Sequence, residues 1–292
     1  MKLVISVSGG GALGIGPLQF MKRLENDLKK NLGDLSAAFA GTSTGSIIAS
    51  GLCNGMSAAE LYDVYKKGLP SIFKKNTAAI IKKNYVQYKN DGLKKLLYEY
   101  FPGKLDKFKK PIYIPTTYMN GESVEKVWDR TDSWMDRAYA VLTSCSAPTY
   151  FDLAKIDGKV FCDGGMWAND PIMVLESAIE TKKECKSIRD AGYKILSFNT
   201  GMLVPNKEPK STNAVGWLTY IMDNWIARTG NSNLFEAQAN LGKDNIFRCE
   251  PSVTKPYAMD DLDVVDEVSN IWDEYYTSVR TKVLKFVKST IV

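Results

Sequence analysis

Residues 37–48 read Ala-Ala-Phe-Ala-Gly-Thr-Ser-Thr-Gly-Ser-Ile-Ile: a short apolar run enters a Gly-x-Ser-x-Gly turn, and a small-residue apolar segment leaves it. Strand, sharp turn and helix in succession make a nucleophile elbow, which predicts an α/β fold. Such a turn holds Ser43 in a strained backbone conformation that lifts its oxygen clear of the sheet. Side chains two residues to either side would collide there, so Gly41 and Gly45 meet a steric need. The N–H groups opening the following helix favour negative charge beside the serine. A Ser/Thr/Gly-rich turn that merely caps a buried helix can carry the same five letters, so other stretches must decide.

The first of these is at the N-terminus. Lys2 to Ser8 reads as a buried strand, followed by Gly9-Gly10-Gly11-Ala12-Leu13-Gly14. Pro17 suits a first helical turn, and Leu18, Met21 and Leu24 continue at helical spacing. Strand, glycine loop and helix together cradle anions. The same letters match the Gly-x-Gly-x-x-Gly of dinucleotide sites, which also need an acidic residue at a strand end about 20 positions on. Asp27 falls within a helical run and Asp34 in a turn, so that alternative lacks its partner residue.

Two Asp-Gly steps lie close together and read differently. Asp157-Gly158 separates Ala154-Lys155-Ile156 from Lys159-Val160-Phe161, the pattern of a hairpin turn. Asp163-Gly164-Gly165 follows that second strand and precedes Asn169-Asp170-Pro171, which opens a helix. Asp163 therefore stands at a strand's exit, where α/β sheets place functional residues. Elsewhere, Ser57-Ala58-Ala59-Glu60 is a capping box for a helix through about Lys67. Pro111 to Thr117 and Tyr193 to Phe198 read as strands, and 262–287 as an amphipathic helix, acidic first and basic later.

The chain contains no histidine. A Ser-His-Asp triad is impossible within it, and histidine-bearing zinc protease motifs are excluded. Any general base must be a carboxylate, lysine, tyrosine or cysteine. The five cysteines are widely spaced and odd in number, without a Cys-x-x-Cys pair, which points away from disulfides and zinc ribbons and toward a reducing compartment. Met1-Lys2 leads directly into the first strand, and no run of 18 apolar residues occurs, so neither a signal peptide nor a membrane span is predicted. The expectation is a cytoplasmic chain of one domain, with no internal repeat and no linker.

Residues 66–110 differ from the rest. Thirteen lysines there face only Asp91, Glu99 and Asp106, a local net charge of +10 in a chain whose total is +5. Phenylalanines and tyrosines are interleaved. A solvated helical face or a site for an acidic protein accounts for such a run; an anionic membrane patch centred on Lys74, Lys75, Lys82 and Lys83 is the functional alternative. No nucleic-acid motif accompanies the charge.

Taken in order, Ser8-Gly9-Gly10-Gly11-Ala12, Gly41-Thr42-Ser43-Thr44-Gly45, Ser146-Ala147-Pro148-Thr149-Tyr150-Phe151 and Asp163-Gly164-Gly165 with Asn169 resemble the patatin-like phospholipases, with matching order and rough spacing from residue 3 to about 201. The resemblance implies a three-layer α/β/α sandwich on a mainly parallel sheet, and a cofactor-free, metal-free Ser-Asp dyad acting on phospholipids or other acyl lipids. Ser43 matches the family nucleophile and Asp163 its partner. The loop of Gly9, Gly10, Gly11 and Gly14 matches the oxyanion hole, with Gly10 and Gly11 as its backbone donors. Gly41, Gly45, Gly164, Gly165 and Asn169 match supporting positions. One departure is Leu13, where the family often has Arg or Lys. An acyltransferase or thioesterase would use the same serine, and a lipid-binding protein without turnover would keep the same fold.

Overall fold

The computed structural model describes residues 1–75, 86–121, 124–200, 230–253 and 257–291, with 217, 220 and 255. The chain runs β1 (Lys2–Val7), α1 (Ile15–Leu28), β2 (Ser36–Gly41), α2 (Thr44–Cys53), α3 (Ala58–Ile72), α4 (Asp91–Tyr100), β3 (Ile112–Tyr118), β4 (Glu125–Trp128), α5 (Arg137–Ser144), β5 (Ala154–Ile156), β6 (Lys159–Asp163), α6 (Ile172–Thr181), β7 (Tyr193–Phe198), α7 (Gly230–Leu241), β8 (Ile246–Cys249) and α8 (Val265–Lys288), with shorter helical turns between.

The near-continuous apolar β1 sits mid-sheet, parallel to both β2 and β7. A strand buried on both faces needs no polar alternation. Its side chains still divide by parity: Leu3, Ile5 and Val7 enter one core and Val4 the other. β2 divides in the same way, Phe39 to the first core and Ala38 and Ala40 to the second. Helices α1, α2, α3 and α8 fill the first side and α6 and α7 the second, so a central sheet lies between two helical layers. On the first side Phe20 of α1 meets Phe198, Trp272 and Tyr276 edge-on, which fastens the last helix to the first. The acidic start (Asp266, Glu267) and basic end (Lys285, Lys288) of α8 complement its dipole.

The eight strands run in the order β5-β6-β3-β2-β1-β7-β8, with β4 also paired to β3. From β3 to β8 the pairing is parallel; β4, β5 and β6 are antiparallel additions at one end. That end explains how β6 delivers Asp163. Ala40 of β2 pairs with Tyr113, while Asp163 pairs with Thr116, three residues further along β3. The third strand overshoots β2, and β6 runs back down the overshoot until its last residue is level with the turn that follows β2. The sequence places Asp163 at a strand exit; the exit belongs to a strand running against the parallel set.

Local signals hold with one extension. Ser57 and Glu60 form the reciprocal capping box. The helix continues past Lys67 to Ile72, through Pro70, because Leu69 and Ile72 prolong its buried face. Asp157 and Gly158 take φ of 49° and 74°, the two positive values of a tight hairpin turn. Among the described residues, no helix is long and apolar enough to cross a membrane.

Candidate active site

Ser43 lies between β2 and α2 with φ 53° and ψ −128°, a region that a non-glycine residue occupies only when its surroundings enforce it. The enforcement is visible. A Cβ on Gly41 would stand 2.2 Å from the Gly45 carbonyl oxygen, and one on Gly45 only 2.1 Å from that of Val7, so neither position admits a side chain. The Ser43 N–H donates to Ser144 Oγ at 2.9 Å, and the Ser144 hydroxyl donates to the Pro115 carbonyl at 2.6 Å. Ser144 thus fills the gap where the second and third strands part. Behind the serine, the Ser46 hydroxyl donates to the Ser43 carbonyl at 2.6 Å.

Asp163 is buried, and its Oδ1 accepts the Gly165 N–H at 2.6 Å. Burial pushes its carboxyl up to about 6, against the restraining hydrogen bonds of the Ser43 hydroxyl and the Gly165 N–H. A carboxylate so placed is ionised at neutral pH yet basic enough to take a hydroxyl proton. Cys145 lines the same pocket, but burial drives its thiol far up, so it offers no thiolate. Asp157 stays on the exposed hairpin and takes no part.

Ser43, Asp163, Gly10, Gly11, Gly165 and Asn169 meet in one pocket of about 530 Å³ counted out to bulk solvent, whose other wall is apolar: Phe73, Pro148, Tyr150, Phe151, Met166 and Met259. The glycine loop divides unevenly. Gly10 and Gly11 line the pocket, and among the described residues their N–H groups find no partner. Gly9 and Gly14, the other two glycines of the loop assigned to the oxyanion hole, are placed differently. The Gly9 N–H is committed to the Asn169 carbonyl at 3.0 Å, and Gly14 lies off the pocket against Thr44. Gly164 packs on the Pro115 carbonyl. Leu13 is buried in the first core, so an apolar anchor replaces a cation.

Several contacts escape sequence reasoning. The Thr200 hydroxyl donates to the Gly9 carbonyl, and the Met259 carbonyl accepts the Ala12 N–H at 2.6 Å. The Tyr65 hydroxyl meets Thr44 and the Gly11 carbonyl. Each joins residues far apart in the chain through a residue that reads, in sequence, as ordinary core or loop. Tyr65 also borders a small apolar cavity behind α2, between Leu18, Ile47, Leu61 and Leu96. Of the lysines singled out, Lys74 and Lys75 are exposed beside Phe73, whereas Lys82 and Lys83 lie outside the described residues.

Known proteins resemble this chain along much of its length. A Pseudomonas aeruginosa protein named cGAMP-activated phospholipase is 26% identical over 279 residues, 91% of this chain and 83% of that protein. Patatin-like protein 2 of Arabidopsis thaliana is 24% identical over 291 residues, covering 83% of this chain and 70% of the plant protein. The crystal structure of VipD from Legionella pneumophila superposes with a TM-score of 0.45 at 14% identity, over 99% of this chain and 67% of that one. The profile of the patatin-like phospholipases matches residues 5–176, well over half of the chain and the whole stretch from the glycine loop through Ser43 to Asp163. This chain belongs to the patatin-like phospholipase family.

Proposed function

We propose that the protein hydrolyses fatty-acyl esters of phospholipids or related lipids through Ser43 and Asp163. The observation that carries the reading is that, among the described residues, Ser43 on its strained turn shares its pocket with a single carboxylate, the buried Asp163, and with two unpartnered backbone donors. In the first step Ser43 Oγ attacks the ester carbonyl while Asp163 accepts the hydroxyl proton. The tetrahedral oxyanion takes hydrogen bonds from the N–H groups of Gly10 and Gly11, an interaction of the kind whose loss costs about 10²–10³ in rate. Collapse returns the proton from Asp163 to the departing alcohol and leaves an acyl-Ser43. Water, deprotonated by Asp163, then attacks the acyl group; the bond from the carbonyl carbon to Ser43 Oγ breaks, Asp163 returns the proton to Ser43, and the fatty acid leaves. The apolar wall of Phe73, Tyr150, Phe151 and Met166 suits the acyl chain.

The substrate would be met at a bilayer surface, and the exposed Lys74 and Lys75 beside the pocket mouth supply charge for an anionic one. Because a relative is named for activation by cGAMP, that cyclic dinucleotide is the activator to assay first. The test incubates the protein with mixed phospholipids, with and without cGAMP, and reads products by mass spectrometry. Release of fatty acid and lysolipid that Ser43→Ala abolishes supports the proposal. Acyl transfer to an added alcohol or lysolipid without free fatty acid would instead make the protein an acyltransferase.

A further inference from the structure

We infer that Tyr65 is a positioning residue for this chemistry, fixing the Gly11 peptide and the residue after Ser43 in one rigid relation; the assignment rests on the ester-hydrolase reading above. Tyr65 lies mid-way along α3, its side chain almost wholly buried. Its ring faces the small apolar cavity behind α2, where nothing polar is available to it. At the far end the hydroxyl meets two groups, the Gly11 carbonyl and the Thr44 hydroxyl.

The direction of these bonds follows from counting protons. A phenol has one, and a carbonyl oxygen can only accept, so the Tyr65 proton goes to Gly11 and Thr44 donates its own to Tyr65. Burial pushes the phenol pKa up, which keeps it a donor. The result is a relay, Thr44 to Tyr65 to Gly11, away from water, where unmade hydrogen bonds are costly.

Among the described residues, no other side-chain hydrogen bond joins the two parts that the relay joins. Gly11 takes φ +54° and lines the pocket, while the peptide it shares with Ala12 is held from the other side by the Met259 carbonyl on the Ala12 N–H. Thr44 is the first residue of the helix that follows Ser43. Through Tyr65, the nucleophile's turn and the oxyanion donors are set against each other. Thr42 and Ser144 tie the turn elsewhere, to Ala168 and to Pro115. Gly14 supplies the room: a Cβ there would stand 2.6 Å from Thr44 Oγ1 and 3.1 Å from the Tyr65 hydroxyl oxygen.

Tyr65→Phe keeps the ring and removes the hydroxyl alone. On a soluble short-chain ester, kcat should fall about 10- to 100-fold, the scale of a slight misplacement of reacting groups, with KM within about twofold. An alkyl trifluoromethyl ketone, which forms a tetrahedral oxyanion on the serine, should bind more weakly by the same factor. The corresponding unreactive alkyl amide should bind as before. Tyr62→Phe, on the same helix with its hydroxyl on Ser269, should match wild type. If Tyr65→Phe does not fold, Thr44→Val breaks the other arm of the relay and should shift kcat and ketone affinity together. An unchanged kcat, or equal loss of ketone and amide binding, would make the hydroxyl a structural bond only and overturn the assignment. A wild-type protein inert toward both ester and ketone would overturn the hydrolase reading itself.

Discussion

The hydroxyl of Thr42 donates to the carbonyl of Ala168 across 2.6 Å, closing a gap of 126 residues in the chain. It ties the turn that carries Ser43 to the helical turn that follows Asp163, so the two side chains of the proposed dyad are held by a bond that neither makes. Thr42→Val keeps the shape and leaves a buried carbonyl without its donor. A loss of about 1–3 kcal/mol in urea unfolding is expected, with a lowered kcat, and Thr42→Ser should restore both.

Ser43 should be the sole covalent nucleophile. A fluorophosphonate probe is expected to label the wild type at Ser43 and to leave Ser43→Ala unlabelled. Ser144 and Ser146 are fully buried with their hydroxyls donated to backbone carbonyls. Adduct mass on a peptide carrying either of them would sink the assignment.

Asp163→Asn should lower turnover by about 10²–10⁴, the usual contribution of a general base, while Asp157→Asn stays near wild type. With the Asp163 carboxyl pushed up to about 6, kcat/KM on a soluble ester should rise with pH through about 6 and level off above it. A limb near 4 would mean that the base is an ordinary solvated carboxylate.

The same burial sets the sign of a stability effect. Folded Asp163 holds its proton up to about pH 6, while its ordinary value is 3.8, so the folded state binds more protons between those limits. Stability therefore falls as pH rises from about 4 to about 6, and the deficit persists above. Asp163→Asn removes that cost, by at most about 3 kcal/mol. Its Tm should exceed that of the wild type at pH 8 and not at pH 4; equal differences at the two pH values would contradict the shift.

Lys74, Lys75 and Lys89 are exposed, and none forms an ion pair among the described residues. Near an anionic bilayer each basic residue is worth about 1 kcal/mol. Changing all three to Glu should sharply reduce sedimentation with phosphatidylserine vesicles and spare turnover of soluble esters. Wild-type sedimentation should weaken as salt rises. Salt-insensitive binding would return these lysines to a solvated face.

What could be read from the sequence was whatever depends on neighbours along the chain. Gly41, Ser43 and Gly45 announce the elbow because the clash that requires glycine is local, and the Ser57–Glu60 capping box and the Asp157-Gly158 turn are local too. Asp163 could be placed at a strand exit, but not on an antiparallel strand, because strand direction depends on what β3 pairs with. The glycine loop shows the boundary most sharply. Four glycines look alike as letters, yet the Gly9 N–H is consumed by a carbonyl 160 residues away, and Gly14 serves to admit two hydroxyls. Tyr65, Thr200 and Met259 gave no signal, since a tyrosine at helical spacing reads as core and a lone methionine in a loop reads as nothing.

Two of the braces on the glycine loop, Thr200 and Met259, lie beyond the segment that identifies the family. Thr200 follows β7, which pairs with β1 along its full length, and Met259 comes just before α8. Residues 5–176 hold the groups proposed to react, with Tyr65 and Asn169 beside them, while two further struts of the loop come from later in the chain. Chemistry and scaffolding are thus partitioned unequally along the polypeptide. On the proposed function, a fragment ending at residue 176 would carry every named reacting group yet lack Thr200, Met259 and the helix that packs on α1.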